Sequence, residues 1–162
     1  MNDAEILAAF HARRYHYDTY LQANDIQQYT CPGCGFPSLN ERGGFNICDV
    51  CTWEDDGQDD HAEGLIAALR VEGVQISGPN GQLSLTDNRM NIGRILETNT
   101  ELINGEIDFD VARVLQTLDF YRQRKVEIEG RMTGEESLQD HILLEWKEVK
   151  KDLQMALIVP KE

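Results

Sequence analysis

Four cysteines carry the most specific chemistry in this sequence. They are the chain's only cysteines and form two C-x-x-C pairs, with thirteen residues between the pairs. A C-x-x-C turn directs two sulfurs toward one point, and two such turns supply the four thiolates of a closed tetrahedral Zn²⁺ site. The spacing therefore predicts one structural zinc ion, with Cys31, Cys34, Cys48 and Cys51 as its ligands.

Other uses of four cysteines fit the sequence less well. Disulfides need an oxidising compartment, and the first residues lack the basic and apolar regions of a signal peptide. Thioredoxin-type redox chemistry needs a C-x-x-C at a helix start in a βαβ unit, which the sequence does not indicate. Iron stays open because four thiolates suit it as well, although the short connecting loop favours a zinc ribbon.

No feature of the sequence predicts an enzyme. A metal closed by four cysteines keeps no coordination position for a substrate or a reactive water. The four histidines are scattered, and no serine, cysteine or histidine arrangement pairs a nucleophile with a base. We therefore expect a non-catalytic protein.

Charge and hydropathy narrow the range of partners. The 162 residues carry a net charge of −14, and a metal bound by four thiolates adds about two further negative charges. Such a field repels nucleic acid and favours association with a basic protein. Because no apolar run is long enough for a membrane helix, we expect a cytoplasmic protein that binds neither nucleic acid nor membranes.

Hydrophobic periodicity predicts helices on both sides of the cysteines. Residues 3–22 form an amphipathic pattern with Ile6, Phe10, Tyr17 and Leu21 on one face. The cysteine module follows at 29–53, with a short strand at 45–47. A short helix at 64–70 and a strand at 71–77 are then predicted before the turn at 78–81.

The second half of the chain is predicted to be helical. Ser84 to Asp87 has the pattern of a capping box and opens a helix that Asn104-Gly105 ends. Asp108 or Asp110 caps the next helix, and Gly130 ends it. A second capping box at 133–136 opens a last helix that ends before Pro160. The apolar positions assigned to these helices are Ile92, Ile95, Leu96, Leu102, Ile103, Val111, Val114, Leu115, Leu118, Tyr121, Val126, Leu138, Ile142, Trp146, Val149 and Leu153.

Together these patterns predict an α+β fold in which a small Cys₄ zinc ribbon packs on a mostly helical body. The expected parts are an N-terminal helix at 1–28, the ribbon module at 29–83 and a helical region at 84–162, joined as one compact unit. Because the helices have apolar faces of their own, they are expected to persist when Cys48→Ser removes the metal.

An acidic segment follows the last cysteine and offers a surface for a basic partner. Trp53 is either a packing residue of the ribbon or an exposed contact residue, and the acids are either a solvated loop or a docking strip. The candidate partner-binding residues are Trp53, Glu54, Asp55, Asp56, Asp59 and Asp60.

Two stretches resemble the cysteine-rich CPCC family. They are C-P-G-C-G-F-P-S-L from Cys31 and I-C-D-V-C-T-W-E-D-D-G from Ile47, and G-P-N-G-Q-L-S-L from Gly78 supports them. Gly33 replaces the additional cysteine that names the family, which indicates that this position is not an essential ligand. Asp49 and Thr52 stand where the family often has proline and an aromatic residue.

The resemblance implies a small zinc-ribbon protein from a family with no established catalytic activity. Many members are thought to be encoded beside polymorphic bacterial toxins, as candidate immunity proteins. The expected function is therefore to bind and neutralise a cognate toxin, a basic protein such as a nuclease. The alternative is a zinc-dependent adaptor or regulatory module that acts on another protein.

Overall fold

The computed structural model describes residues 1–73, 78–131 and 136–161. Its elements in chain order are α1 (Asp3–Ala23), α2 (Asp60–Val71), α3 (Leu85–Ile103), β1 (Gly105–Ile107), α4 (Val111–Glu129), α5 (Glu136–Ala156) and β2 (Ile158–Pro160). The predicted α+β class with a helical body is confirmed. None of the described helices combines the length and the apolar character needed to span a membrane.

The chain divides into two compact units, Met1–Thr98 and Asn99–Glu162. The boundary lies inside α3, whereas the sequence placed it between residues 83 and 84 within one compact unit. The difference arises because the first turns of α3 belong to the cysteine module: Asn88 and Arg89 donate hydrogen bonds to the Gly33 and Pro32 carbonyls, which lie between its first two cysteines.

The first unit holds the cysteine module, α1, α2 and most of α3. The apolar face predicted for α1 is confirmed, with Ile6, Phe10, Tyr17 and Leu21 buried. The capping box of α3 is also present, because the Ser84 amide donates to the Asp87 carboxylate at 3.0 Å and the Asp87 amide donates to the Ser84 hydroxyl at 3.0 Å. Glu63 on α2 accepts hydrogen bonds from the amides of Leu85 and Thr86 in the first turn of α3.

The second unit pairs α4 with α5 and adds a short sheet. Asp110 caps α4 by accepting a hydrogen bond from the Arg113 amide, and Ile128, Ile142 and Val149 form a buried cluster with Tyr121 and Trp146 packed against it. The sheet pairs β1 antiparallel to β2, with Glu106 opposite Val159. Neither strand was predicted.

Several sequence expectations need correction. The short strand predicted at 45–47 is reduced to one bridge, Ile47 opposite Glu54, because a bulge at Phe45 interrupts the pairing. Val71 ends α2 and does not begin a strand; the rest of that predicted strand, 74–77, and the capping-box residues 133–135 lie outside the described residues. Among the residues assigned to apolar stripes whose side chains the structure describes, three are instead exposed: Ile95, Leu102 and Val126. The side chain of Leu138, also assigned to a stripe, lies outside the described residues.

Candidate metal centre

Two knuckles of matching geometry present the four cysteines. In the first, the Cys31 amide donates to the Phe36 carbonyl and the Gly35 amide donates to the Cys31 carbonyl, each at 2.8 Å. In the second, the Cys48 amide donates to the Trp53 carbonyl at 2.9 Å and the Thr52 amide to the Cys48 carbonyl at 2.8 Å. The same bonds at the same spacing show that each C-x-x-C forms one closed turn.

A left-handed residue completes each turn. Gly35 has φ +83° and Thr52 has φ +66° at the equivalent position. Glycine adopts this conformation without steric cost, whereas threonine, which is β-branched, is strained there. The departure from the family pattern at Thr52 therefore coincides with backbone strain in the second knuckle.

The four sulfurs converge on one point. All lie within 4.8 Å of one another; Cys31 and Cys51 Sγ are 3.7 Å apart, and Cys34 and Cys48 Sγ are 3.6 Å apart. Four sulfurs bound tetrahedrally at the usual Zn–S distance would be separated by about 3.8 Å. These separations are far longer than a disulfide bond of about 2.05 Å, and the four cysteines are free. The donor set and its spacing fit one metal ion.

Without a metal, burial makes the thiolate form of this cluster unfavourable. Burial is the main cause that raises the pKa of Cys31 and Cys34 well above the usual thiol value. Burial would also raise the pKa of Cys48, but hydrogen bonds from the other three cysteines and from the Ser38 hydroxyl, 2.9 Å from its sulfur, hold that pKa well below the usual value. Charging all four sulfurs in this buried site requires a cation.

Three side chains bind the backbone carbonyls of the first knuckle. Arg89 Nε donates to the Pro32 carbonyl at 2.7 Å, Asn88 Nδ2 donates to the Gly33 carbonyl at 3.0 Å, and Arg13 donates to the Cys34 carbonyl from Nε at 2.9 Å and Nη2 at 2.7 Å. All three side chains are buried. Helices α1 and α3 therefore fix the position of the knuckle through its own peptide groups.

Arg13 supplies an independent argument for an anionic centre. Its guanidinium is buried, with the Phe36 ring centroid 5.2 Å away, and no carboxylate lies within ion-pair distance of it in the described residues. Burial lowers the pKa of Arg13, and the charges of Cys34, Tyr17 and Cys51 oppose that shift. Because a buried cation needs a compensating charge, a metal bound by four thiolates is the anion that this arrangement fits.

The space around position 33 admits only glycine without a shift of its neighbours. A Cβ atom there would lie 2.5 Å from Asn88 Nδ2 and 3.0 Å from Trp53 Cβ. The family's cysteine at this position would therefore displace the amide that binds the Gly33 carbonyl. Glycine at 33 and asparagine at 88 form a matched pair in this chain.

Gly33→Cys is expected to lower the free energy of unfolding by about 1–3 kcal/mol, the usual range for overpacking. Asn88→Ala removes the crowding atom, so the double variant should be more stable than the sum of the single effects allows. Urea unfolding of the four proteins of this cycle measures the coupling. Additive effects would show that Asn88 does not limit the space at position 33.

Residues 29–103 match the family model described as cysteine-rich CPCC. This segment is similar to the cysteine-rich CPCC family. The match confirms the resemblance predicted from the sequence, and it includes both knuckles and all of α3. No curated protein and no solved structure matches the chain.

The structure separates the four cysteines from the acidic segment that follows them. Asp59 accepts two hydrogen bonds from Arg14, each at 2.7 Å, and a third from Arg42 at 3.0 Å. These bonds and charges, against burial, lower the pKa of Asp59 below the usual carboxyl range. Asp59 also caps α2 by accepting from the Asp60 amide, so it acts as a structural clamp.

The predicted docking strip therefore offers far fewer free acids to a partner than its sequence indicates. Trp53 and Asp55 are buried, and Asp55 accepts from Arg42 Nε at 2.9 Å and from the Gly43 amide at 2.7 Å. Asp60 pairs with Arg89 at 2.8 Å. Trp53 packs beside Gly33, which favours the packing role over the contact role. Only Glu54 and Asp56 keep partly exposed carboxylates without an arginine partner in the described part of the chain.

Sequence reasoning missed Arg13, Asn88 and Arg89. A signal was available, because Arg13 lies between Phe10 and Tyr17 on the apolar face of α1, and positions 88 and 89 lie between Leu85 and Ile92 on that of α3. An arginine on an otherwise apolar helix face indicates a buried cation and so an anion nearby.

Proposed function

We propose that this chain is a non-catalytic protein-binding module whose binding surface is held rigid by one structural Zn²⁺. The observation that carries the proposal is the closed site: four converging thiols, with the carbonyls of the first knuckle bound by Arg13, Asn88 and Arg89. Four thiolates complete the coordination shell of zinc, so the metal's contribution is structural. A surface fixed before binding loses less conformational entropy when a partner docks.

We further propose that the partner is a basic protein, with a bacterial toxin as the first candidate. The net charge of −14 supports a basic partner through electrostatic steering. The proposal that this partner is a toxin rests on the family resemblance. As an immunity protein, the chain would bind the toxin and cover its active surface.

Toxicity rescue tests this function. If the protein encoded beside this chain is the toxin, cells that produce it should die unless this chain is produced with it. The two purified proteins should form a complex in which neither is covalently changed. Raising the salt from about 0.05 to 0.5 M should slow association at least about tenfold, with a smaller change in dissociation. No complex with any protein encoded nearby would contradict the immunity function, and salt-independent association would remove the steering argument.

A charge-neutralising variant has to leave Asp55 and Asp59 unchanged. Neutralising Asp55 or Asp59 would deprive Arg14 and Arg42 of their carboxylate partners and damage the fold. Glu54 and Asp56, whose partly exposed carboxylates have no arginine partner among the described residues, are the acids to neutralise.

A further inference from the structure

The second knuckle has one exposed edge. Ile47 lies opposite Glu54, and the bonds on either side of this pair run from the Cys48 amide to the Trp53 carbonyl and from the Asp55 amide to the Asn46 carbonyl, both at 2.9 Å. Ile47 and Glu54 therefore form a non-hydrogen-bonded antiparallel pair, in which the peptide groups of both residues face away from each other.

The outward-facing peptide groups of Glu54 and Ile47 differ in whether they have hydrogen-bond partners. On the Glu54 side, the Asn80 side chain accepts from the Glu54 amide and donates to the Glu54 carbonyl, both at 2.8 Å. Asn80 thus occupies the place of an added strand. On the Ile47 side, neither the amide nor the carbonyl has a hydrogen-bond partner in the described part of the chain. The peptide edge of Ile47 is open.

A strained aromatic residue stands beside this edge. The Phe45 amide donates to the Asp55 carbonyl at 2.8 Å, and with the Asp55–Asn46 bond this is the pattern of a G1 bulge. The first residue of such a bulge is normally a left-handed glycine, yet Phe45 holds φ +62° there with 58 % of its surface exposed. A bulky residue kept in a glycine conformation while gaining little burial points to a function outside the fold.

The surroundings of the edge are apolar and acidic. The Ile47 side chain is 51 % exposed, and Glu54 lies on the same face because paired residues share a face. Glu41 lies within 3.5 Å of the Asn46 side chain. Neither glutamate has a lysine or arginine within ion-pair distance among the described residues. This combination suits a segment that carries both apolar and basic side chains.

We propose that the exposed edge formed by Phe45 and Ile47 binds an extended, basic and apolar segment of a protein partner as an added strand. The two backbone bonds of Ile47 anchor the segment, Phe45 and Ile47 contact its apolar side chains, and Glu41 and Glu54 pair with its basic ones. The inference rests on the proposed protein-binding function. A second copy of this chain is the weaker occupant, because two molecules of charge −14 repel each other.

A ten-residue peptide of alternating lysine and valine is the probe. Titrated into the metal-loaded full chain, it should shift the amide signals of residues 45–47 and slow hydrogen exchange at the Ile47 amide about tenfold when nine tenths of the protein is bound. The Cys48 amide, already bonded to Trp53, should change little. A peptide with glutamate for lysine tests the charge, and one with methylated amides tests the backbone bonds; both should bind at least about tenfold more weakly.

Variants separate binding from folding. Phe45→Gly restores the preferred bulge residue, so it should not lower the melting temperature, yet it should weaken peptide binding at least about tenfold. Ile47→Ala should also weaken binding. Ile95→Ala is the matched control, because Ile95 is similarly exposed, at 43 %, but lies on α3; it should bind as the wild type does.

Four results would overturn this inference. They are no shift at residues 45–47 with about 1 mM peptide, shifts centred on another surface, unchanged binding by Phe45→Gly, and Ile47 protection that depends on self-association in the absence of peptide. A natural partner that binds without slowing exchange at Ile47 would overturn the edge inference alone and leave the proposed function intact. Absence of any natural partner would instead contradict the proposed function.

Discussion

Cys48→Ser is expected to unfold the whole unit from Met1 to Thr98, well beyond the ribbon itself. Structural zinc contributes about 10–16 kcal/mol to folding, which matches or exceeds the entire stability of about 5–15 kcal/mol of a typical domain. In this unit, the buried groups of α1 and α3 pack on the first knuckle: Arg13 and Arg89 bind its carbonyls, and Tyr17 contacts Phe36 with ring centroids 5.7 Å apart. When the knuckles open, these helices lose their packing partners.

The sequence alone suggested that the helices would survive this substitution. The structure limits that expectation to α4 and α5, whose cluster of Ile128, Ile142 and Val149 contains no part of the metal centre. Hydrogen exchange followed by mass spectrometry distinguishes the outcomes: α1 and α3 should lose protection while α4 and α5 keep it. Chelation of the wild-type metal, followed by its return, is the reversible control. Protection of α1 and α3 retained in Cys48→Ser would contradict this expectation.

Arg89→Met is expected to lower the free energy of unfolding of the first unit by about 1.5–3 kcal/mol, the cost of losing a buried hydrogen bond that a charged group donates. The substitution deletes the hydrogen bond to the Pro32 carbonyl and leaves Asp60 without its partner at 2.8 Å. It also removes a guanidinium whose carbon lies 4.2 Å from the Phe10 ring centroid. Metal affinity should fall with stability, because the first knuckle loses a support.

Arg94→Met is the matched control on the same helix. Arg94 is exposed and pairs with the exposed Asp3, so its loss should cost less than about 1 kcal/mol. Urea unfolding monitored by tryptophan fluorescence, together with the zinc content after dialysis, compares the two variants. Equal effects of the two substitutions would show that burial of Arg89 against the knuckle contributes no stability.

Local sequence signals predicted the parts of the fold that are controlled locally. The cysteine spacing specified two closed turns, and the Ser84–Asp87 box specified the start of α3, because each depends on residues a few positions apart. The pairing of β1 with β2 could not be predicted in this way. Gly105 pairs with Pro160 across more than fifty residues, and three-residue strands are too short to show alternation.

The environment of the site was harder to predict than its ligands. Trp53 and Asp55 have the composition of a surface motif, but Arg42 and the Gly43 amide compensate the Asp55 carboxylate inside the fold. Arg42 lies 13 positions away in sequence, so no local pattern reveals the pairing. A run of acids in the sequence therefore overstates the exposed acidic surface wherever arginines from other parts of the chain pair with those acids in the fold.

The most direct test of the account is X-ray absorption at the metal edge, combined with elemental analysis of the full chain purified without added metal. We predict one zinc per chain, surrounded by four sulfurs at about 2.3 Å and by no oxygen or nitrogen ligand. Less than about a tenth of an equivalent of metal with reduced thiols, or a first shell containing oxygen or nitrogen, would contradict a closed structural centre on Cys31, Cys34, Cys48 and Cys51.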